Sequence, residues 1–206
     1  MIMISIASVF TSEMTVLGSR FIAVIYPLEK KEQVDSFLKE IESIYPKATH
    51  YCYAVRFDEY EYAYDNGEPS HSAGLPILNA LKSENINHAL LVVVRYFGGT
   101  KLGLPRLTKT YKDVSKLVAE KSEKVELIPG IRAKICADYS TFEYLKRMAM
   151  RRGYEVNEPL FDAKVTFFLL GSDKILLPLL NDLKKDEVLD KETTMIKRRI
   201  NDDSCK

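Results

Sequence analysis

Two spacings of hydrophobic residues alternate along the N-terminal part of the chain, and they predict a sheet with helices packed on it. Segments rich in β-branched and aromatic residues are typical of strands, whereas apolar positions recurring every three or four residues are typical of amphipathic helices. The predicted strands are residues 2–10, 19–26, 50–57, 59–64 and 89–94. The predicted helices are residues 30–45, residues 73–83 and a segment after Pro105. Residues 11–18 show neither spacing and predict a loop.

The helix after Pro105 has an apolar and a basic side. At about 100° per residue, its apolar positions form one narrow stripe and its lysines lie roughly opposite. The apolar stripe contains Leu107, Tyr111, Val114 and Val118, and the basic stripe contains Lys109, Lys112 and Lys116, with Arg106 near the first turn. We therefore expect the apolar side to lie on the sheet and the basic side to face solvent.

The charge of the chain is concentrated around this helix. The 206 residues carry a net charge of only +1, so whole-molecule electrostatics neither favour nor exclude an anionic partner. Residues 95–116, however, contain a single acid, Asp113, and a local charge of +5. The basic residues of this segment are Arg95, Lys101, Arg106, Lys109, Lys112 and Lys116. This local excess indicates a surface for an anionic partner.

The pattern changes near Pro129–Gly130, and we place a domain boundary there, giving residues 1–129 and 130–206. The second part predicts strands at 131–138, 154–159, 163–170 and 193–200, and helices at 141–152 and 174–184. The order β-α-β-β-α-β is that of a ferredoxin-like domain. The predicted fold class is therefore α+β.

Cysteine usage and hydropathy bear on the compartment. Cys52, Cys136 and Cys205 lie far apart without a C-x-x-C pair, so we expect reduced thiols. The apolar N-terminus lacks a basic leader and a clear cleavage site, and we interpret it as a strand. The longest apolar runs, 89–94 and 167–170, are far shorter than the ~20 residues of a membrane helix. We expect a cytoplasmic protein with no membrane association.

Two glycine-bearing segments are candidates for chemistry. In the first, Gly98, Gly99 and Lys101 join the strand 89–94 to the basic helix, which is typical either of a phosphate cradle or of a tight turn. The second contains Asp65, Gly67, Glu68, Ser70 and His71. Its carboxylates could hold a cation or close a turn, and Ser70 or Ser72 could cap the next helix. His71 has no obvious acid to orient it for catalysis.

Long motifs in residues 1–125 resemble those of the IMPACT family. DNGEPSHSAGLPIL begins at Asp65 and VVVRYFGGTKLG at Val92, with SRFIA at Ser19 and ATHYCYA at Ala48 ahead of them. The resemblance implies a ribosomal-protein-like N-terminal α+β domain with a left-handed βαβ connection. It also implies a C-terminal domain similar to the fifth domain of elongation factor G. Bacterial members have no established enzymatic activity, whereas eukaryotic relatives, which carry an additional domain, regulate translation.

Three functions are compatible with these features. The leading hypothesis is a non-enzymatic protein that binds RNA or a ribosome and modulates translation, with no cofactor and no metal. Its six cations in segment 95–116 would contact phosphates, Gly98 and Gly99 would permit close approach, and Tyr96 would stack on a base. One alternative is a protein-interaction regulator within the translation apparatus that has no nucleic-acid role. Another is a hydrolase or nucleotide-binding enzyme in which Asp65, Glu68, His71 and Lys101 converge.

Overall fold

A computed structural model describes residues 3–200. Residue 2 of the predicted first strand and the tail with Cys205 lie outside the described residues. The described residues divide into two compact units, one with residues 3–126 and 199–200, the other with Leu127–Arg198. The first unit contains β1 (Met3–Ile6), β2 (Phe10–Val16), β3 (Ser19–Pro27), α1 (Gln33–Ile44), β4 (His50–Phe57), β5 (Tyr60–Tyr64), α2 (Gly74–Ser83), β6 (Ala89–Tyr96) and α3 (Leu104–Lys121).

The first unit is built on a five-stranded sheet in the order β2-β3-β6-β4-β5. The chain pairs β3 and β4 antiparallel to β6 on either side of it, so β3 and β4 run parallel and α1 connects them across β6. The left-handed sense of this connection stays a prediction. Placing β6 at the centre follows from its composition, because a strand buried on both faces needs an uninterrupted apolar run.

Helices cover both faces of this sheet. On one face, Leu91 and Val93 of β6 lie in a core with apolar side chains of α2 and α3. On the other face, Val92 and Val94 lie in a second core with Ile41 of α1. Alternate residues of a strand point to opposite faces, so α1 and α3 pack on opposite sides of one sheet.

The loop predicted at residues 11–18 is wrong, because residues 10–16 form β2. This strand pairs residue by residue with β3, from Phe10 opposite Ile25 to Val16 opposite Ser19. Only Met14 and Val16 of β2 pack against the core, and both are partly buried. An edge strand with one solvated face has few apolar positions. The Ser, Thr and Glu residues of β2 therefore hid its alternation of apolar and polar positions.

The second unit has the predicted β-α-β-β-α-β order, which is confirmed. Its elements are β7 (Lys124–Ala137), α4 (Tyr139–Arg152), β8 (Tyr154–Phe161), β9 (Val165–Ser172), α5 (Asp173–Asp182) and β10 (Val188–Arg199). In its sheet β7 pairs with β9 and with β10, and β9 pairs with β8. The ends of α4 follow from sequence, because the Asp138 side chain accepts a hydrogen bond from the Thr141 backbone N–H and Gly153 adopts the left-handed conformation.

The division between the units falls at 126/127, three residues before the predicted boundary. Strand β7 runs without interruption from Lys124 through Pro129 and Gly130 to Ala137. A Pro-Gly pair usually indicates a turn, but here both residues lie inside a strand. The assignment of two separate domains stays a prediction.

Candidate functional site

Helix α3 has the two sides that its spacing predicts. Leu107, Tyr111, Val114 and Val118 are buried. Arg106, Lys109, Lys112 and Lys116 are exposed. Pro105 lies in the first turn, where its missing N–H has no intrahelical partner to lose.

Two of the exposed lysines form ion pairs along the helix. Lys109 pairs with Asp113, and Lys116 Nζ lies 3.3 Å from Glu120 Oε1. Exposed pairs of this kind contribute only about 0–1 kcal/mol, so they compete weakly with a polyanion. Among residues 3–200, Lys101, Arg106 and Lys112 form no ion pair. We call Lys101, Arg106, Lys109, Lys112 and Lys116 the basic surface.

The glycine turn before α3 is shaped by close backbone contact. A Cβ on Gly98 would lie 1.9 Å from the carbonyl carbon of Gly18, which no side chain allows. The Gly98 N–H donates to Ser19 Oγ over 3.1 Å, and the Phe97 N–H donates to Thr49 Oγ1 over 3.0 Å. Gly99 has φ +85, a conformation that favours glycine. Because two of its N–H groups are already bonded, the geometry favours the tight turn over the phosphate cradle.

Arg95 is not part of the exposed charge, contrary to our expectation. Its side chain is 6% exposed, and its Nη1 lies 2.5 Å from Glu68 Oε1. A buried guanidinium needs a paired charge, and Glu68, whose side chain is 4% exposed, supplies it. Arg95 is therefore held by Glu68 and does not belong to the basic surface.

Tyr96 also lies apart from the basic surface. It is half-buried and packs in the core beneath α1, on the sheet face opposite α3. Its hydroxyl donates to Pro46 O over 3.2 Å. The expected stacking of Tyr96 on a base bound at α3 is therefore wrong.

The second segment closes a turn and caps α2 through Asp65. The Asp65 carboxylate accepts hydrogen bonds from the backbone N–H groups of His71 (2.8 Å), Ala73 (3.0 Å) and Gly74 (2.8 Å). Burial acts to raise the pKa of Asp65, but the three N–H donors outweigh it and hold the pKa below its ordinary value. The predicted caps are wrong, because Ser72 donates instead to Pro69 O and Ser70 forms no hydrogen bond among residues 3–200.

A cavity of about 350 Å³ lies between the Glu68 segment and the turn before α3. Its polar lining is His50, Glu68, Arg95 and Lys101, and its apolar lining includes Phe97, Leu102, Leu104 and Leu107. We call it the Glu68 pocket. It brings together parts of the two glycine-bearing segments that the sequence marked.

Glu68 is the centre of a buried polar network behind this pocket. Its Oε1 accepts from Arg95 and, over 2.8 Å, from the Tyr111 hydroxyl. The Cys52 thiol lies 3.0 Å from Asp65 O and 3.4 Å from Tyr111 Oη. Burial raises the pKa of Tyr111 above its ordinary value. Burial also raises the pKa of Cys52, to about 12, although the hydrogen bond to Tyr111 acts to lower it.

His50 lies at the edge of the same network. Its Nδ1 is 2.7 Å from Asn66 O. A carbonyl only accepts, so Nδ1 carries a proton. The other nitrogen, Nε2, lies 3.8 Å from Glu68 Oε2. Gly67, with φ +83, shapes the turn that brings Asn66 to His50.

The four groups proposed for an enzymatic cleft do not converge. Glu68 and Lys101 line the Glu68 pocket, but Asp65 is engaged at the start of α2 and His71 is exposed outside the pocket. Neither His50 nor the apolar wall of Phe97, Leu102 and Leu104 was predicted from the sequence to belong to this site. For His50, the only signal in the sequence was its position two residues before Cys52, which places both side chains on one face of a strand. No local sequence pattern indicated the apolar wall of the pocket.

Neither a metal cluster nor a membrane span is present in the part of the chain that the structure describes. Within residues 3–200, no group of three His, Cys, Asp or Glu side chains is arranged to hold a metal ion. No helix in the same range is long and apolar enough to cross a membrane.

The fold and the site together define a two-unit α+β protein with a basic helix beside a small pocket. The chain belongs to the IMPACT family, because residues 17–119 match the Impact N-terminal domain. This confirms the resemblance carried by the two glycine-bearing motifs, both of which lie inside the matched range.

Relatives extend the match beyond that domain. An IMPACT family member from Thermus thermophilus is 30% identical over 151 residues, covering 73% of this chain and 83% of the relative. The IMPACT family member YvyE of Bacillus subtilis (strain 168) is 37% identical over 108 residues, and the chain spans 50% of its length. A crystal structure of a hypothetical protein covers 95% of this chain and 97% of its own, with a TM-score of 0.65 and 20% identity. That likeness shows the fold alone.

Proposed function

We propose that the chain binds RNA, free or within a ribosome, through the basic surface, and that it modulates translation in this way without catalysis. Arg95 and Tyr96 are left out, because one is buried in an ion pair and the other lies on the opposite sheet face. The observation that supports the proposal is the arrangement of apolar and basic side chains on opposite sides of α3. One side of the helix is fixed on the core, and the other presents four cations to solvent.

The arrangement favours a polyanion over a single small anion. The four helical cations extend from Arg106 to Lys116 of α3, which is about 15 Å at 1.5 Å per residue. Binding would release counterions from several phosphates, and the affinity for single-stranded RNA would fall with salt by a slope of about 0.7 per phosphate contacted. The translational role comes from the family resemblance.

Charge reversal on α3 tests this proposal. We expect Arg106→Glu/Lys112→Glu to weaken binding to a single-stranded RNA and to flatten the slope of log K against log salt by about 1.4. A matched control is Lys30→Glu/Lys39→Glu, which makes the same charge change at two exposed positions, Lys30 just before α1 and Lys39 in α1, the helix on the opposite sheet face. Fluorescence anisotropy over a salt series measures both quantities.

Three outcomes separate the hypotheses. A loss confined to the α3 variant supports RNA binding through the basic surface. Equal affinity and equal salt slope for all three proteins would overturn it and favour the protein-interaction hypothesis. Equal weakening by both double variants would also count against it, since that result reports only total charge.

A further inference from the structure

The Glu68 pocket contains hydrogen-bonding capacity that the fold does not use. Glu68 Oε1 accepts two hydrogen bonds, whereas Oε2 accepts none from residues 3–200 and lies 3.8 Å from His50 Nε2. Polar groups of buried side chains are nearly always satisfied, so a Glu68 side chain that is 4% exposed and lines the pocket with one oxygen free indicates a ligand there.

The free oxygen of Glu68 defines which group the ligand must carry. Glu68 Oε2 only accepts when ionised. The ligand therefore donates hydrogen bonds at this end. A cationic donor is disfavoured, because Arg95 already balances Glu68 and Lys101 leaves the lining with a net positive charge. The ligand thus combines a neutral donor group with a negative charge elsewhere.

The remaining walls favour a flat, largely apolar body. Phe97, Leu102, Leu104 and Leu107 line the pocket, and aromatic and aliphatic side chains of this kind pack against the faces of unstacked bases. The volume of about 350 Å³ lies at the small end of ligand pockets. It suits one nucleotide rather than an extended segment.

We propose that the Glu68 pocket holds a single nucleotide whose base carries an exocyclic amino group. The amino group would donate to Glu68 Oε2, the base would lie against the apolar wall, and Lys101 would contact the phosphate. The same chemistry is presented by a free nucleotide and by an unpaired nucleotide of an RNA. The second source rests on the proposed RNA binding, since Lys101 and the first turn of α3 belong to both sites.

Matched nucleotides test the role of the amino group. Titration of the full chain with GMP and IMP, and with CMP and UMP, is followed by amide shifts of residues that line the pocket. Within each pair the first nucleotide has the amino group that the second lacks. We expect GMP and CMP to bind at least about tenfold more tightly, because IMP has a hydrogen and UMP a carbonyl oxygen at the position of the amino group, which leaves Glu68 Oε2 without its donor.

Variants locate the effect in the pocket. Glu68→Gln replaces the free acceptor by a donor, and we expect it to abolish the preference for amino-bearing nucleotides. Since that change disturbs a buried ion pair, Leu104→Trp provides a second variant. Leu104 is 55% exposed, so a larger side chain would narrow the opening without altering the network. Lys39→Glu, on the opposite sheet face, is the control for charge, and thermal unfolding confirms that each variant is folded.

The outcomes distinguish this inference from the proposed function. Amino-dependent binding that Leu104→Trp weakens and Lys39→Glu leaves intact supports the pocket. If the protein also binds oligo(C) more tightly than oligo(U), the ligand of the pocket is an unpaired nucleotide of an RNA. If it binds both equally, the ligand is a free nucleotide. Equal binding of both members of each pair, or none at all, would overturn the inference even if RNA still binds α3. Failure of RNA binding alone overturns only the proposed function.

Discussion

Arg95 follows the apolar run of β6 and forms its ion pair with Glu68, which lies 27 positions earlier in the chain. Both side chains are almost fully buried. Desolvating a charge is costly unless an opposite charge and hydrogen bonds accompany it, and the Tyr111 hydroxyl completes the set on Glu68. One of the six cations that the sequence places in segment 95–116 is therefore structural.

Removal of one partner should be far more harmful than removal of both. We expect Arg95→Met to lower the free energy of unfolding by about 3–5 kcal/mol, because it leaves the Glu68 carboxylate buried and unpaired. Arg95→Met/Glu68→Leu should recover part of that loss. Urea denaturation of the three proteins measures the difference. A loss below about 1 kcal/mol for the single variant would show that the pair is effectively solvated.

The Cys52 thiol should be inert in the folded protein. It is fully buried, its pKa is raised to about 12, and the thiolate is the reactive form. In a Cys136→Ser/Cys205→Ser background, iodoacetamide at pH 8 should label Cys52 only after unfolding in urea. Rapid labelling under native conditions would mean that β4 and α3 separate readily at this point.

At the scale of elements, the sequence predicts best where one signal is strong and local. The six apolar residues before Arg95 placed β6, and regular spacing oriented α3. Prediction failed where a hydrogen-bonding partner is distant in the sequence, or where a strand has one solvent-exposed face and therefore few apolar residues. Asp65 caps α2 although it lies nine positions before Gly74, which is beyond the usual spacing of a capping residue. In β2, the polar residues of the solvent-exposed face masked the alternation of apolar and polar positions. The Glu68 pocket was beyond prediction because its walls come from separate segments.

The Asp65 cap predicts a pH-dependent contribution to stability. Because the folded-state pKa is lowered, the contribution is present above the ordinary Asp pKa of about 3.9 and is lost as pH falls through the lower folded pKa. We expect Asp65→Ala to cost about 0.5–2 kcal/mol at pH 7 and progressively less below about pH 4.

Ser70→Ala is the matched control for this measurement. Ser70 was an equally plausible cap by sequence, yet it makes no hydrogen bond within residues 3–200, so its removal should leave stability unchanged. Urea unfolding at several pH values compares both variants with the wild type. A cost of Asp65→Ala that stays constant down to acidic pH would contradict the assignment of the ionised carboxylate as the cap.

At the scale of the whole molecule, each unit has a hydrophobic core of its own. The core of the second unit is formed by side chains from its strands and both helices, with Phe142, Leu145 and Phe167 at most 1% exposed. Its element order was predictable because each strand and helix is separately patterned. The boundary was not, since the backbone of β7 continues across it and no change in local structure marks the division.

We propose that residues 127–198 form a domain that folds alone, since a separate core is the physical requirement for independent folding. The fragment should unfold in one cooperative urea transition followed by circular dichroism. Phe142→Ala should abolish the transition, because loss of a buried Phe costs about 3–5 kcal/mol against the ~5 kcal/mol expected of so small a domain. Met150→Ala, at a side chain 95% exposed, should leave it unchanged. A non-cooperative, gradual loss of signal in the parent fragment would show that β7 needs its first residues and the preceding unit to fold.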